Sequence, residues 1–301
     1  MTKPTRLLVI GGSGFIGARL VAGAADRGYP VAYTYLNHPL SLQAEAYQVT
    51  LDKADGSLEA CLATYQPQIV IYCAVSPFVY ANGDSIHQQV SVEGVRRTLA
   101  ALDQTALFVY LSTNTVFGGG RGLYREDEIP DPELREDPYR TYALTKADGE
   151  KVTRETWTNS IIARTCVVYG LDVRGVLYPR VAAMVEALQA GQPLVRFHDR
   201  YISPTLVDNL VEALLETIAP TFGYRGILHL TGSERVSDYT YGCYLVRRLG
   251  LDESLVQTES IAASLAMANS PRDNSLDVTF TQSLLQTRLL SVEEQMARLF
   301  P

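Results

Sequence analysis

Residues 6 to 17 read Arg6-Leu-Leu-Val-Ile-Gly11-Gly-Ser-Gly-Phe-Ile-Gly17, and few folds accommodate such a segment. A short, continuous apolar run ending in glycines is how a strand buried on both faces reads. Apolar residues then recur at Phe15, Ile16, Leu20, Val21 and Ala24, which is helical spacing, and Gly28-Tyr29-Pro30 stops the pattern. The three glycines at 11, 14 and 17 lie at the turn between strand and helix. The first permits the tight turn, the second lets the backbone approach a pyrophosphate, and the third lets helix and strand pack closely. Backbone N–H groups and the helix dipole favour phosphates at that point. The expectation is a dinucleotide site formed by Gly11, Ser13, Gly14, Phe15, Ile16 and Gly17.

The pattern continues along the chain. Apolar runs at 31–35, 69–74, 107–112 and 160–164 read as further strands, and 57–65 and 90–102 read as helices between them. Strands alternating with helices imply an α/β fold: a doubly wound, parallel sheet of the Rossmann type with right-handed crossovers. Residues 118–138, rich in Gly, Pro, Asp and Glu, have no period and read as a loop bordering a site. Beyond Tyr169 the pattern is less regular, with helices at 181–189, 206–218, 238–249 and 292–299 and a strand at 226–230. The expected organisation is a dinucleotide-binding domain over 1–165, with 190–222 returning to it. A smaller, partly interleaved C-terminal substrate region covers 166–189 and 223–301.

Composition excludes several classes. Lys plus Arg is 26 against 33 for Asp plus Glu, a net charge of −7 without basic runs, which argues against nucleic acid as a partner. No apolar run approaches the ~20 residues of a membrane helix, and no secretory signal precedes the first strand. The chain reads as cytoplasmic with no membrane partner. Cysteines 61, 73, 166 and 243 form no Cys-x-x-Cys pair and stand near no His pair, so they read as reduced thiols rather than a disulfide or metal site.

The second strand ends Tyr33-Thr34-Tyr35-Leu36-Asn37-His38. NAD-preferring sites place a carboxylate there for the adenosine ribose. None is present, so nothing repels a 2′-phosphate, and His38 is the one candidate to attract it. This favours NADP(H), with NAD(H) also open. Asp52, after Val49-Thr50-Leu51, is placed to hydrogen-bond the adenine amine.

Tyr142 and Lys146 stand four apart in Tyr142-Ala-Leu-Thr-Lys146 and share one face if the stretch is helical. A phenol with a pKa near ~10 is a poor acid–base group at neutral pH, and a neighbouring ammonium lowers that pKa. Lysine can also hold ribose hydroxyls with its remaining donors. Ser112-Thr113 ends the fourth of these strands, where an open α/β sheet places its active site, and supplies a hydroxyl to hold a carbonyl. Thr113, Tyr142 and Lys146 are the candidate catalytic set, with Tyr142 and Lys146 also facing the cofactor.

With these motifs in place the chain resembles an extended short-chain dehydrogenase/reductase. Within that superfamily it is most similar to the dTDP-4-dehydrorhamnose reductase group, which includes the regulatory β subunit of methionine adenosyltransferase. Leu111-Ser-Thr-Asn-Thr-Val-Phe-Gly118 is similar to the group's Ser-Thr-Asp-Tyr-Val-Phe segment, making Thr113 the matching hydroxyl. Tyr124-x-Glu126-x-Glu128, Tyr142 to Glu150, Arg164-Thr-Cys-Val-Val-Tyr-Gly170, Ser203-Pro-Thr205, Gly226 to Gly232 and Pro271 to Asp277 also resemble its motifs. The resemblance implies hydride transfer from NAD(P)H to a ketone, most simply a 4-keto sugar nucleotide. Tyr142 protonates the oxygen and Thr113 orients the carbonyl. It further implies Tyr35, Cys73, Ala74 and Cys166 along the cofactor, and Val75, Ser76, Asn114, Arg200 and Arg272 along the substrate. Arg164, Arg174 and Arg180 are further candidates for a nucleotide diphosphate. A homodimer is common in the superfamily.

Departures leave the substrate open. Ser91 stands where the group has Asn, Ala74 to Tyr80 replaces an Ala-Ala-Tyr-Thr-x-Val-Asp segment, and Ile202-Ser203 occupies the turn of the group's Gly. Asn114-Thr115 follows Thr113 where dehydratases of the superfamily carry Asp-Glu, which argues against dehydration. The alternatives are an NADP-binding regulatory subunit without turnover, a sugar-nucleotide epimerase, or a reductase of a non-sugar ketone or imine.

Overall fold

The computed structural model describes residues 5–76, 84–265 and 267–301, so Pro77 to Tyr80 of the altered segment lie outside the described residues. The chain divides into two compact units. One contains 1–113, 141–164 and 214–228, and the other 114–140, 165–213 and 229–301. This differs from the expected bounds in two places: loop 114–140 groups with the second unit, and the stretch returning to the first is 214–228.

The first unit is built on β1 (Leu7–Ile10), α1 (Phe15–Asp26), β2 (Val31–Tyr35), β3 (Glu45–Gln48), α2 (Ser57–Tyr65), β4 (Ile69–Tyr72), α3 (Asp84–Gln88), α4 (Gly94–Ala101), β5 (Leu107–Thr113), α5 (Arg140–Thr156) and β6 (Ser160–Thr165). With β11 (Gly226–His229) the strands form one seven-stranded sheet in the order β11-β6-β5-β4-β1-β2-β3. β1 pairs in parallel with both β2 and β4, placing Leu7 opposite Val31 and Ile69. The strand order therefore reverses between β1 and β4, and a crevice beyond their carboxyl ends is where such sheets take ligands. Every residue of β1, β4, β5 and β6 is buried, as the unbroken apolar runs require.

Two elements depart from the expectation. β3 is an edge strand that the sequence pattern does not announce. Its residues are mostly exposed and carry no period, while the run Val49-Thr50-Leu51 follows it. The expected helix at 90–102 is two pieces, a π turn at Gln89–Glu93 followed by α4, and α3 precedes them. Widening the helix re-routes its carbonyls, and two buried tyrosines from the sheet meet them. Tyr72 Oη donates to Val90 O at 2.5 Å and Tyr110 Oη to Ser91 O at 3.3 Å. Glycines make the room: a Cβ on Gly94 would overlap Tyr72 Oη, and one on Gly149 would overlap Tyr110 Oη.

The second unit carries β7 (Val168–Tyr169), α6 (Pro179–Gln189), β8 (Leu194–Phe197), β9 (Tyr201–Ile202), β10 (Thr205–Leu206), β12 (Val236–Ser237), α8 (Asp238–Arg248), β13 (Val256–Glu259), α9 (Thr279–Leu284) and α10 (Val292–Leu299), while α7 (Val207–Thr217) begins in it. Its strands form three short pairs: β7 with β10, β9 with β12 and β8 with β13. Met184, Leu188, Leu245, Val246, Val292 and Met296 fill a core under α6, α8 and α10. Ser291 and Glu294 form a reciprocal capping box that starts α10. No described helix is long and apolar enough to cross a membrane.

Candidate active site

The glycine turn has the geometry its sequence calls for. Gly11 adopts φ +81°, its N–H donates to Thr34 Oγ1 at 2.9 Å, and its carbonyl accepts from Gly14 N at 3.1 Å. A Cβ on Gly11 would stand 2.8 Å from Ala74 backbone atoms, so the turn lies directly against the end of β4. A Cβ on Gly17 would stand 2.7 Å from Gly12 Cα and closer still to Gly11 O. Gly14, the N-cap of α1, offers no side-chain cap, which leaves an anion the natural partner for the first turn. Replacing Gly17 by Ala should therefore reduce dinucleotide affinity at least ~tenfold, because the helix must shift away from the turn. Fluorescence titration with NADPH reads this, and unchanged affinity would disprove the tight packing.

Around the turn, Ser13, Phe15 and Ile16 are half-buried, as are Tyr35 and Asp52, while His38 is exposed. Tyr33 Oη donates to Leu40 O at 2.7 Å and accepts from Leu40 N at 2.9 Å, fixing the loop that carries His38. At the end of β4, Ala74 and Ser76 are buried and Val75 is exposed.

Thr113 is the last residue of β5, and Tyr142 and Lys146 lie one turn apart near the start of α5. Tyr142 is half-buried, with the buried His87 ring edge-on to it at a centroid distance of 6.3 Å. Lys146 is buried. Its Nζ donates to Leu111 O at 2.5 Å and lies 4.1 Å from the Tyr110 ring centroid. Burial pulls the Lys146 ammonium down to about 8, against the opposing influence of Cys73 and Glu150. Burial likewise pushes the Cys73 thiol up to about 12. His87, Tyr110 and the π turn were not singled out from the sequence. Tyr110 sits inside a continuous apolar run, and His87 stands alone in a polar stretch.

One sequence candidate is corrected. Arg164, considered for a diphosphate, is fully buried on β6. Its Nε and Nη2 donate to the two oxygens of Glu150 at 3.0 and 2.8 Å, and Ser112 Oγ donates to the same carboxylate at 2.5 Å. This pair ties α5 to β5 and β6 and is closed to a ligand.

Asn114, Cys166, Arg200 and Arg272 belong to the second unit. Asn114 Nδ2 donates to Asn274 O at 3.0 Å, while Asn274 Nδ2 donates to Phe117 O. Leu123 N donates to Ser275 Oγ at 2.9 Å, and the rings of Phe117 and Tyr124 stack 4.0 Å apart. The segment 271–277 thus braces the loop after β5. Cys166 O accepts from Thr205 Oγ1 at 2.6 Å, which gives the Ser203-Pro-Thr205 motif a structural task. Arg200 Nη1 donates to Asp238 Oδ2 at 2.9 Å and Arg196 Nη2 lies 3.6 Å from Oδ1, so two guanidiniums share one carboxylate. The Arg272 side chain is 61% exposed and 3.2 Å from Asp199, and Arg174 is exposed beside Asp172.

A sheet of this strand order, with a glycine turn after β1, a Ser-Thr pair ending β5 and a tyrosine and lysine one turn apart on the next helix, defines an extended short-chain dehydrogenase/reductase. The chain belongs to the RmlD substrate binding domain family, which matches residues 5–300, and within that class it is dTDP-4-dehydrorhamnose reductase-like. It is 26% identical over 300 residues to the probable low-salt glycan biosynthesis reductase Agl14 of Haloferax volcanii, covering 97% of this chain and 96% of that protein. It is 26% identical over 229 residues to the methionine adenosyltransferase 2 subunit beta of Pongo abelii, covering 73% and 66%. Among solved structures, the dTDP-4-dehydrorhamnose reductase of Bacillus anthracis, in complex with NADP, superposes with a TM-score of 0.82 at 20% identity over 99% of both chains.

Proposed function

We propose that this protein is an NAD(P)H-dependent reductase of a keto sugar nucleotide, with a 4-keto group as the acceptor. The observation that carries this reading is the placement of Tyr142 and a buried Lys146 on one face of α5. A bound nicotinamide would supply hydride to the carbonyl carbon, while Thr113 donates a hydrogen bond to the carbonyl oxygen and the Tyr142 hydroxyl delivers the proton. Lys146, cationic below about 8, stabilises the phenolate left behind and would hold the ribose hydroxyls of a bound nicotinamide nucleotide. The turn from Gly11 to Gly17 takes the pyrophosphate. The absence of a carboxylate at the end of β2, from Tyr35 to His38, favours NADP(H) over NAD(H). The surplus positive charge of Arg196 and Arg200 over Asp238, with the exposed Arg272, suits a nucleotide diphosphate.

A second reading has an observation behind it. The similarity to the methionine adenosyltransferase subunit makes an NADP-binding regulatory subunit without turnover the alternative. Retention of Thr113, Tyr142 and Lys146 favours the reductase. The test is NADPH and NADH oxidation with a panel of 4-keto sugar nucleotides and small ketones. Oxidation dependent on a keto sugar nucleotide, faster with NADPH, is expected. Tight NADPH binding with no oxidation by any of the panel would discard the reductase in favour of the regulatory subunit.

A further inference from the structure

Lys146 sits where a cation is costly. Its side chain is buried, and Leu111 O accepts one of its three N–H donors. The charged and titratable groups facing it do little to compensate. Glu150, one turn along the same helix, accepts two bonds from Arg164 and one from Ser112, so its negative charge is already engaged. Cys73 at the end of β4 stays a neutral thiol, its proton held up to about 12. Tyr142 lies one turn earlier on the same helix. What remains beside the ammonium is the face of Tyr110 on β5, with Nζ 4.1 Å from the ring centroid.

That ring is held in place. Tyr110 Oη donates to Ser91 O in the π turn, and the Tyr72 ring lies tilted at a centroid distance of 6.0 Å. On α5, Gly149 leaves open the space the hydroxyl fills, where a Cβ would also stand 2.6 Å from Ser91 O. A glycine in a helix interior is unfavourable relative to alanine, so the helix gives up propensity to admit this ring.

We propose that Tyr110 is a positioning residue of the active site, its ring face holding the Lys146 ammonium charged and in place over the end of β5 for Tyr142 to use. The interaction is a cation–π contact, strengthened by the exclusion of water. Its relevance to catalysis rests on the reductase reading above, but its test does not.

The chain has four lysines, Lys3, Lys53, Lys146 and Lys151, so 13Cε-labelled lysine gives few NMR signals to resolve, and Lys146→Met assigns the one of interest. The Lys146 titration is followed in the full chain without substrate, for Tyr110→Phe, Tyr110→Leu and a trifluorophenylalanine at 110. Fluorination empties the ring face of negative charge while keeping its shape. Tyr110→Phe should titrate near wild type, whereas Tyr110→Leu and the fluorinated ring should lower the midpoint by about one pH unit, a tenfold loss of proton affinity. Should the leucine variant fail to fold, the phenylalanine and trifluorophenylalanine pair decides alone. With a turnover assay in hand, the alkaline limb of kcat should shift by the same amount with KM unchanged. A midpoint indifferent to fluorination overturns the proposal, as does a phenylalanine variant that shifts as far as leucine. Both are read without substrate, so a failed reductase reading leaves the test standing.

Discussion

Replacing Tyr142 by Phe should lower ketone reduction by about 10²- to 10⁴-fold, the usual contribution of a positioned proton donor. The ring remains, so its edge-to-face contact with His87 and the start of α5 are preserved. Only the hydroxyl is lost, and with it the proton for the developing alkoxide. NADPH binding should be nearly unchanged, because the glycine turn and Lys146 are untouched. The loss should fall on kcat, since the proton is needed in the transition state and not for binding. The wild-type profile should also carry a sign of Lys146. Its ammonium is present below about 8 and lost above, so activity that needs the cation is full at neutral pH and declines as pH rises through that value. Steady-state kinetics with fluorescence titration of NADPH checks each part. A Phe variant with wild-type kcat would remove Tyr142 from the chemistry.

Replacing Arg164 by Met should destabilise the protein by about 3–5 kcal/mol, because it strands the Glu150 carboxylate in a fully buried position. Met keeps much of the volume, so the cost is that of an unpaired charge rather than a cavity. Replacing both Arg164 and Glu150 by Met should recover most of the loss, since a buried pair exchanged for apolar groups of similar size is often neutral. The urea midpoint, followed by circular dichroism, measures both variants. Equal destabilisation by the single and double replacements would contradict the account. Were Arg164 instead a ligand for a diphosphate, the single variant would keep its stability and raise KM.

Arg164 also marks where reading the sequence stops. Its partner Glu150 lies on another element, and a lone arginine ending an apolar run carries no mark of pairing. The glycine turn, the helix at 57–65 and the placement of Tyr142, Lys146 and Thr113 were legible because local spacing dictates them. The π turn was not, because it depends on Tyr72 and Tyr110 reaching across from the sheet. In strands buried on both faces there is no alternation to show which aromatic points where. The two-residue strands of the second unit are likewise set by long-range pairing, as β9 with β12, and leave no period. The 271–277 motif was legible as a resemblance, but its bracing of Phe117 and Leu123 emerged only from the fold.

The most direct measurement of the central claim is hydride tracing with NADPH carrying deuterium at both C4 positions of the nicotinamide. In the presence of a 4-keto sugar nucleotide, one deuterium should appear on the former carbonyl carbon of the sugar, seen by NMR of the product, and the transfer should collapse in Tyr142→Phe. Bound NADPH that passes no deuterium to any keto sugar nucleotide would contradict the claim.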